Sequence, residues 1–311
     1  GLTKEFFQLI TTELFNPTFG MFEEKNSRFL WFDIRSFECN LNFQLVGTLL
    51  GLALFNQVII QLPFSLALYK KLILANGSLE AGNQLTLEDL KELEPEVYTS
   101  LKNILKQNIN EGEHELFFAV EKDFFGEQRV HEFIPQGSEI RVTNDNKEEF
   151  VQKYVDWYFN TSVKEQFESF SKGFYSVISG RAIKMFQAID IFLAINGNEN
   201  LDFNELKKSA QYDQGFTEES ETIHMFWKVL FSLEVEKKKD FLKFLTGSPR
   251  APLRGLGEIK MTISRQGDDP QRLPSSHTCF NHLLLPDYKS EDKLREKLLK
   301  AIEHAEGFGL I

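Results

Sequence analysis

Residues 273–288 read LPSSHTCFNHLLLPDY and hold Cys279 between two Leu-Pro pairs. Proline fixes φ and biases the residue before it toward extended backbone, so each pair ends regular structure and redirects the chain. His277 and His282 flank the thiol, and Thr278 and Asn281 add a hydroxyl and an amide to the same few residues. Two readings fit. A free cysteine followed by Leu283, Leu284 and Leu285 is a small hydrophobe at the edge of a core strand. The same cysteine in a polar turn between two imidazoles is a candidate nucleophile. Zinc is set aside: His277, Cys279 and His282 are crowded and no C-x-x-C pair exists, whereas a closed tetrahedral site takes four well-spaced ligands.

Working outward, Ser290 with Glu291 and Asp292 opens a final helix whose apolar face is Leu294, Leu298, Leu299 and Ile302, with Lys300 near its end and Gly307 past it. Upstream, a Gly- and Pro-rich loop at 248–257 leads into a strand-like run at 258–264. Helical periods cover 204–210, 218–231 and 236–245, the last closed by Gly247. The mixture predicts a small α/β unit over 201–311 with Cys279 exposed on a loop beside a small sheet. Its upstream limit is the turn-rich run Asn196, Gly197, Asn198, Glu199, Asn200. Glycine between asparagines adopts backbone angles closed to most residues, so 196–200 is predicted to be a hinge. A single turn inside one domain fits the same residues.

Residues 1–195 read as mostly helical with short hairpins. Phe6, Phe7, Ile10 and Leu14 fall at helical spacing, and a hairpin is predicted around the polar turn EEKNS. A largely buried helix is predicted over 37–55, with Gly47 and Gly51 admitting a close neighbour and Cys39 packed structurally. Pro63 suits the first turn of a helix reaching Leu74, and Asn76-Gly77 its end. Thr86 with Asp89 reads as a capping box, and Pro95 starts a helix whose stripe is Val97, Leu101, Ile104 and Leu105. Strands at 115–121 and 128–134 turn around Gly126. Two helices across 144–178 break near 160–162, and Phe150, Tyr154 and Trp157 share one face, which frames either a core or a groove.

The chain's 311 residues exceed the size at which one core usually stops growing, so two or more packed units are expected. With 31 Phe against 7 Tyr and 3 Trp, packing and any partner groove will be Phe-lined. A formal charge of −11 argues against a phosphate-tracking nucleic-acid surface. The longest apolar run, 45–55, is well short of the roughly 20 residues that span a bilayer. No leader pattern and no disulfide framework are present, which gives the expectation of a reducing, cytoplasmic setting, with the nucleus as the alternative. No motif asks for a cofactor.

The segment around Cys279 resembles the active-site signature of HECT-type ubiquitin ligases, L-P-x-(A/S)-H-T-C-F-N followed by an apolar run and L-P-x-Y. Leu273, Pro274, Ser276, His277, Thr278, Cys279, Phe280 and Asn281 match it, then Leu285, Pro286, Asp287 and Tyr288. The tail EGFGLI resembles the family's terminus, with Phe308 four residues from the end. TKEFF near the start, FFG at 124–126, KEEFVQKY and FLKFLTGSPRAPLRGLG extend the likeness over essentially the whole chain. It is most similar to the E6-associated-protein branch and the branch carrying chromosome-condensation-regulator-like repeats.

This resemblance implies an α+β, two-lobed HECT fold: an N-lobe over 1–195, a hinge at 196–200 comprising Asn196, Gly197, Asn198 and Glu199, and a C-lobe over 201–311. It implies that Cys279 carries ubiquitin as a thioester, received from a ubiquitin-conjugating enzyme and passed to lysines of protein substrates. His277, Thr278, Asn281 and Phe308 are the implied supporting residues, with the carboxylate of Ile311 a candidate for arranging lysine attack. Val97, Leu101, Phe150 and Tyr154 would line the conjugating-enzyme groove, made shallower by Val97, where the best-studied binders carry Leu. HECT domains normally begin several tens of residues earlier, implying a longer parent protein with an additional first helix and strand. Two alternatives stay open beside it: a thiol hydrolase pairing Cys279 with His114, His131 or His224, and a binding module in which Cys279 is inert.

Overall fold

The computed structural model describes residues 2–15, 19–26, 29–77, 84–109 and 116–307. Helix α1 (Leu2–Leu14) precedes a hairpin of β1 (Phe22–Lys25) and β2 (Phe29–Phe32), then α2 (Asn40–Phe55) and α3 (Leu66–Ala75). A 3-10 turn at Leu87–Asp89 runs into α4 (Leu90–Leu93) and α5 (Pro95–Lys106), followed by a second hairpin, β3 (Ala119–Phe124) with β4 (Glu127–Glu132). Next come α6 (Lys147–Phe159), α7 (Lys164–Val177), α8 (Gly180–Ile183) and α9 (Ala188–Asn196). The last part holds α10 (Phe203–Ser209), β5 (Gln211–Asp213), α11 (Glu221–Ser232), α12 (Val235–Thr246), β6 (Thr262–Arg265), β7 (Ser275–His277), β8 (His282–Leu285) and α13 (Glu291–Gly307). The chain divides into two compact units, one of 10–56 with 62–192, the other of 1–9, 57–61 and 193–311.

The larger unit is organised on α2 against α7. Helix α2 is apolar almost all round, and it buries Phe43, Val46, Leu49, Leu50 and Ala53. Its contact with α7 is a reciprocal glycine interlock. A Cβ at Gly47 would lie 1.9 Å from the Phe170 carbonyl oxygen, and one at Gly173 would lie 1.9 Å from that of Gln44. Thr48 Oγ1 spans the crossing, 3.0 Å from Gln44 O and 3.4 Å from Gly173 O. Around this pair the phenylalanines form the core: Phe22, Phe32, Phe43, Phe64 and Phe170 meet through ring centroids 5.1–6.4 Å apart, mostly edge to face.

Several local expectations shift. Pro63 does not start α3; it lies in extended chain, its carbonyl accepting the Leu30 N–H at 2.6 Å, and the helix begins after Ser65. Phe37 is outside α2, 89% exposed and stacked on Phe125 at 5.2 Å. Cys39, expected to be packed, is exposed at the N-cap of α2. The capping box forms as read, Thr86 and Asp89 exchanging bonds, but it opens a 3-10 turn rather than one continuous helix.

Lys71 on α3 is only 7% exposed. Its ammonium donates to Asn160 Oδ1 at 2.7 Å and sits 4.1 Å from the Phe167 ring centroid. Burial pulls its pKa down from 10.5 to about 8, against the raising influence of Asp156 and Glu168. The folded state therefore binds fewer protons than the unfolded one between pH 8 and 10.5, and stability from this group rises as pH climbs through that window. At neutral pH the buried charge costs about 2–3 kcal/mol, partly offset by the Asn160 bond and the Phe167 ring. Lys71→Met keeps the stem and removes the charge. Urea unfolding at pH 7 should show the variant about 1–2 kcal/mol more stable, with the gap closing toward pH 10. A variant less stable than wild type at pH 7, with no pH-dependent gap, would show that the polar contacts outweigh the burial cost.

In the smaller unit a four-stranded sheet has the order β5-β6-β8-β7, with β7 antiparallel to β8 and the other pairs parallel. Parallel neighbours need crossover connections, supplied between β5 and β6 by α11 and α12. Strand alternation decides which face packs: Ile263, Leu283 and Leu285 are fully buried with Phe226, Phe241, Leu245, Leu294 and Leu298. Thr262, His282 and Leu284 are only part-buried. Strand β5 had no clear signal in sequence, being three polar-leaning residues joined through the sheet to a partner some fifty positions away.

Candidate active site

Cys279 stands at the tip of the β7–β8 hairpin. The strands pair Ser275 with Leu284, Ser276 with Leu283 and His277 with His282. Thr278, Cys279, Phe280 and Asn281 are left as the loop. The Phe280 N–H donates to His277 O at 3.0 Å, so Thr278 and Cys279 are the central residues of a β-turn. Asn281 closes the loop at φ 49°, in the left-handed region that asparagine tolerates better than most side-chain-bearing residues. Two tethers hold the tip. The Thr262 N–H donates to Asn281 O at 3.1 Å, and Ser276 Oγ donates to Phe244 O at 2.5 Å. Cys279 is exposed beside Phe280, which is 76% exposed, so the core-hydrophobe reading of the cysteine does not hold.

The turn supplies its own check. Asn281→Gly should leave the thermal midpoint of the smaller unit nearly unchanged, whereas Asn281→Val should cost about 1–3 kcal/mol because a β-branched residue is forced into left-handed backbone. Equal midpoints for the two variants would mean that the conformation of residue 281 is not what fixes the loop.

Behind the tip, the two Leu-Pro pairs anchor the hairpin legs. Tyr288 is fully buried, its hydroxyl donating to the Arg272 carbonyl, while the Asp287 N–H donates to Gly267 O at 2.8 Å. The Asp287 carboxylate takes the Thr222 hydroxyl and lies 3.1 Å from Arg265 and 2.8 Å from Lys289. Partial burial works against ionisation there, but Lys289, Thr222 and Arg265 together hold the carboxyl below its ordinary value. On the part-buried face of the sheet, Ser264 Oγ lies 2.7 Å from His282 Nε2, and the His282 ring centroid is 6.0 Å from that of His277. The Phe280 N–H, committed to the turn, is not available as an oxyanion donor. Ser264 thereby meets the hairpin through His282, a contact that sequence reasoning missed.

The other sequence candidates are placed as follows. On α5, Val97 is part-buried and Leu101 buried; on α6, Phe150 and Tyr154 are buried. Phe133 joins the α6 residues, 5.8 Å from Phe150 and 5.6 Å from Tyr154 between ring centroids, and burial raises the Tyr154 pKa above its ordinary value. Most of this face is therefore packed aromatic floor rather than open surface. Asn196 is buried; Gly197 has φ 75° and would bring a Cβ within 2.6 Å of the Arg250 Cβ. Asn198 exchanges two backbone bonds with Ala251, at 2.7 and 2.9 Å, and Glu199 pairs with Arg250 at 2.7 Å. Both partners, Arg250 and Ala251, belong to the smaller unit. His131 lies between the Phe124 and Trp157 rings, its pKa lowered by burial and then by Arg129 and Lys122, and exposed His224 stands 3.9 Å from Glu219. Phe308, Ile311 and His114 fall outside the described residues. Among the described residues no group of three or more His, Cys, Asp or Glu is arranged to hold a metal ion, and no helix is long and apolar enough to cross a membrane.

Cys279 is thus an exposed residue on a tethered turn of the smaller unit, with a histidine on each leg of the hairpin. The family model described as HECT-domain (ubiquitin-transferase) matches residues 8–311, and the chain belongs to that family. It is 42% identical, over its whole length, to the human protein named "Probable E3 ubiquitin-protein ligase HERC4" and 37% identical to human "Probable E3 ubiquitin-protein ligase HERC3", covering 29% of each. It is 37% identical to mouse "Probable E3 ubiquitin-protein ligase HECTD2", covering 41% of that protein. The chain thus spans between about three and four tenths of these relatives.

Proposed function

We propose that this chain is the catalytic part of a ubiquitin-protein ligase that carries ubiquitin on Cys279. The observation that carries this reading is the exposed thiol at the tip of a doubly tethered hairpin, in a chain whose family and relatives bear ubiquitin-transferase and ligase names. In the first step the Cys279 thiolate attacks the thioester between ubiquitin and a conjugating enzyme. One C–S bond forms, another breaks, and the conjugating enzyme's sulfur leaves with the electron pair. Exchange between thioesters is nearly balanced, so the protein's contribution is proximity and a thiolate. In the second step a substrate lysine replaces the sulfur with nitrogen, releasing Cys279 and one proton.

The conjugating enzyme is assigned to the α5–α6 face of the larger unit, with Val97 at the surface and Leu101, Phe150 and Tyr154 forming a rigid apolar floor. Support comes from the clustering of Phe150 and Tyr154 with Phe133, which is part-buried and supplies aromatic surface at the rim. The hinge is assigned to 196–200, where Gly197 takes the left-handed backbone, φ 75°, that a turn between elements requires. Two exposed cysteines, neither in a disulfide, support a reducing compartment such as the cytoplasm. A single-round chase tests the reading: charged conjugating enzyme is mixed with this chain and resolved on a non-reducing gel. A reductant-sensitive ubiquitin adduct that discharges onto added lysine supports ligase action. Release of free ubiquitin with no need for an amine would instead mean a hydrolase.

A further inference from the structure

We propose that Ser264 and His282 are positioning residues for lysine attack: the buried Ser264 hydroxyl fixes the His282 imidazole, and His282 sets the exposed His277 ring to take the proton of the attacking amine. This rests on Cys279 as the ubiquitin carrier. At neutral pH a lysine amine, with an unperturbed pKa of about 10.4, is almost entirely protonated and cannot attack. Aminolysis forms a C–N bond at the thioester carbonyl, breaks the C–S bond with its electron pair leaving on Cys279 sulfur, and requires that nitrogen shed a proton. Within the hairpin that presents Cys279, the side chains of the residue type most used as a general base are His277 and His282.

The geometry separates their tasks. Thr262 is the register partner of His282 in the parallel β6–β8 pair, so Ser264, two residues on, projects from the same sheet face. Ser264 is 0% exposed, and its Oγ is 2.7 Å from His282 Nε2. A buried hydroxyl without a partner would be costly, and here the imidazole provides one. With Nε2 held, the His282 ring cannot flip without breaking that bond, while the hydroxyl can donate to or accept from that nitrogen. His277 is directly across the antiparallel pair, its ring centroid 6.0 Å away at 50°. His277 is also exposed and two residues from Cys279, so His282 serves as the fixed wall and His277 as the group that reaches the amine.

The test loads the chain with ubiquitin on Cys279 and follows discharge to free lysine and to hydroxylamine, an amine already unprotonated at neutral pH. In Ser264→Ala, lysine discharge should fall about tenfold or more, within the range of a positioned acid–base group. Hydroxylamine discharge should stay near wild type, and Ser264→Thr, which keeps the hydroxyl, should restore lysine discharge. His282→Gln gives the same comparison should Ser264→Ala not fold. Parallel slowing of charging, lysine discharge and hydroxylamine discharge would make Ser264 a purely structural residue and overturn the proposal, as would unchanged lysine discharge. Wild type that never becomes charged on Cys279 would overturn the ligase reading itself, a result distinct from either.

Discussion

Gly173→Ala is expected to destabilise the larger unit by about 3–5 kcal/mol, a large part of the 5–15 kcal/mol that holds an ordinary domain together. The intrinsic effect of the change has the opposite sign, since alanine is favoured over glycine within a helix by about 1 kcal/mol. Packing decides the outcome: the new methyl would lie 1.9 Å from the Gln44 carbonyl oxygen and 2.9 Å from the Thr48 nitrogen, both backbone atoms of α2 that no rotamer change can move aside. The helices would have to separate, opening the contacts of Phe43 and Phe170 along with Thr48. Gly47→Ala meets Phe170 O at the same distance and should cost a similar amount. Because either change already forces the helices apart, the double variant should cost less than the sum. Gly77→Ala is the control: φ is 79° but nothing lies within 4 Å, so only backbone strain remains, about 1 kcal/mol. Urea unfolding followed by circular dichroism distinguishes them. A Gly173→Ala variant no weaker than Gly77→Ala would mean that α2 and α7 do not meet at this distance.

The same crossing shows how far sequence reasoning reaches. The spacing of Gly47 and Gly51 marks a close approach on α2, but its reciprocal partner, Gly173, carries no comparable signal, because a lone helical glycine acquires meaning only when another backbone lies against it. Local chemistry was legible for the same reason: Thr86 and Asp89, the glycine after α12 and the Leu283–Leu285 strand each involve residues within one turn or one strand. Pro63 was misread because a proline compatible with a first helical turn is equally compatible with extended chain, and the Leu30–Pro63 bond that selects the latter is non-local.

The site divides along the same line. The loop, its exposed thiol and its histidines follow from consecutive residues and a family signature. Ser264 does not, since it sits on a different strand and meets His282 only through sheet register. The groove residues differ again: their helical spacing is right, and Phe118 and Phe133, from the two flanks of the β3–β4 hairpin, pack on Phe150. A face that is amphipathic in one dimension thus becomes mostly interior in three.

Cys279→Ala should eliminate the reductant-sensitive ubiquitin adduct, a loss of at least about a thousandfold in lysine transfer, because the covalent route ends with its only acceptor. The chain provides a matched control in Cys39, also exposed but at the N-cap of α2 in the other unit. Exposure alone would give the two thiols equal standing; the turn and the flanking imidazoles belong to Cys279. Cys39→Ala should therefore retain both adduct and transfer. On the proposed assignment of the conjugating enzyme to Val97, Leu101, Phe150 and Tyr154, its binding should survive in Cys279→Ala, because those residues belong to the other unit. An adduct that persists in Cys279→Ala and disappears in Cys39→Ala would move the chemistry to the larger unit and leave the hairpin without a catalytic task. Full transfer activity in both single variants and in the double variant would exclude a covalent mechanism, making the chain a surface on which a charged conjugating enzyme and a lysine meet.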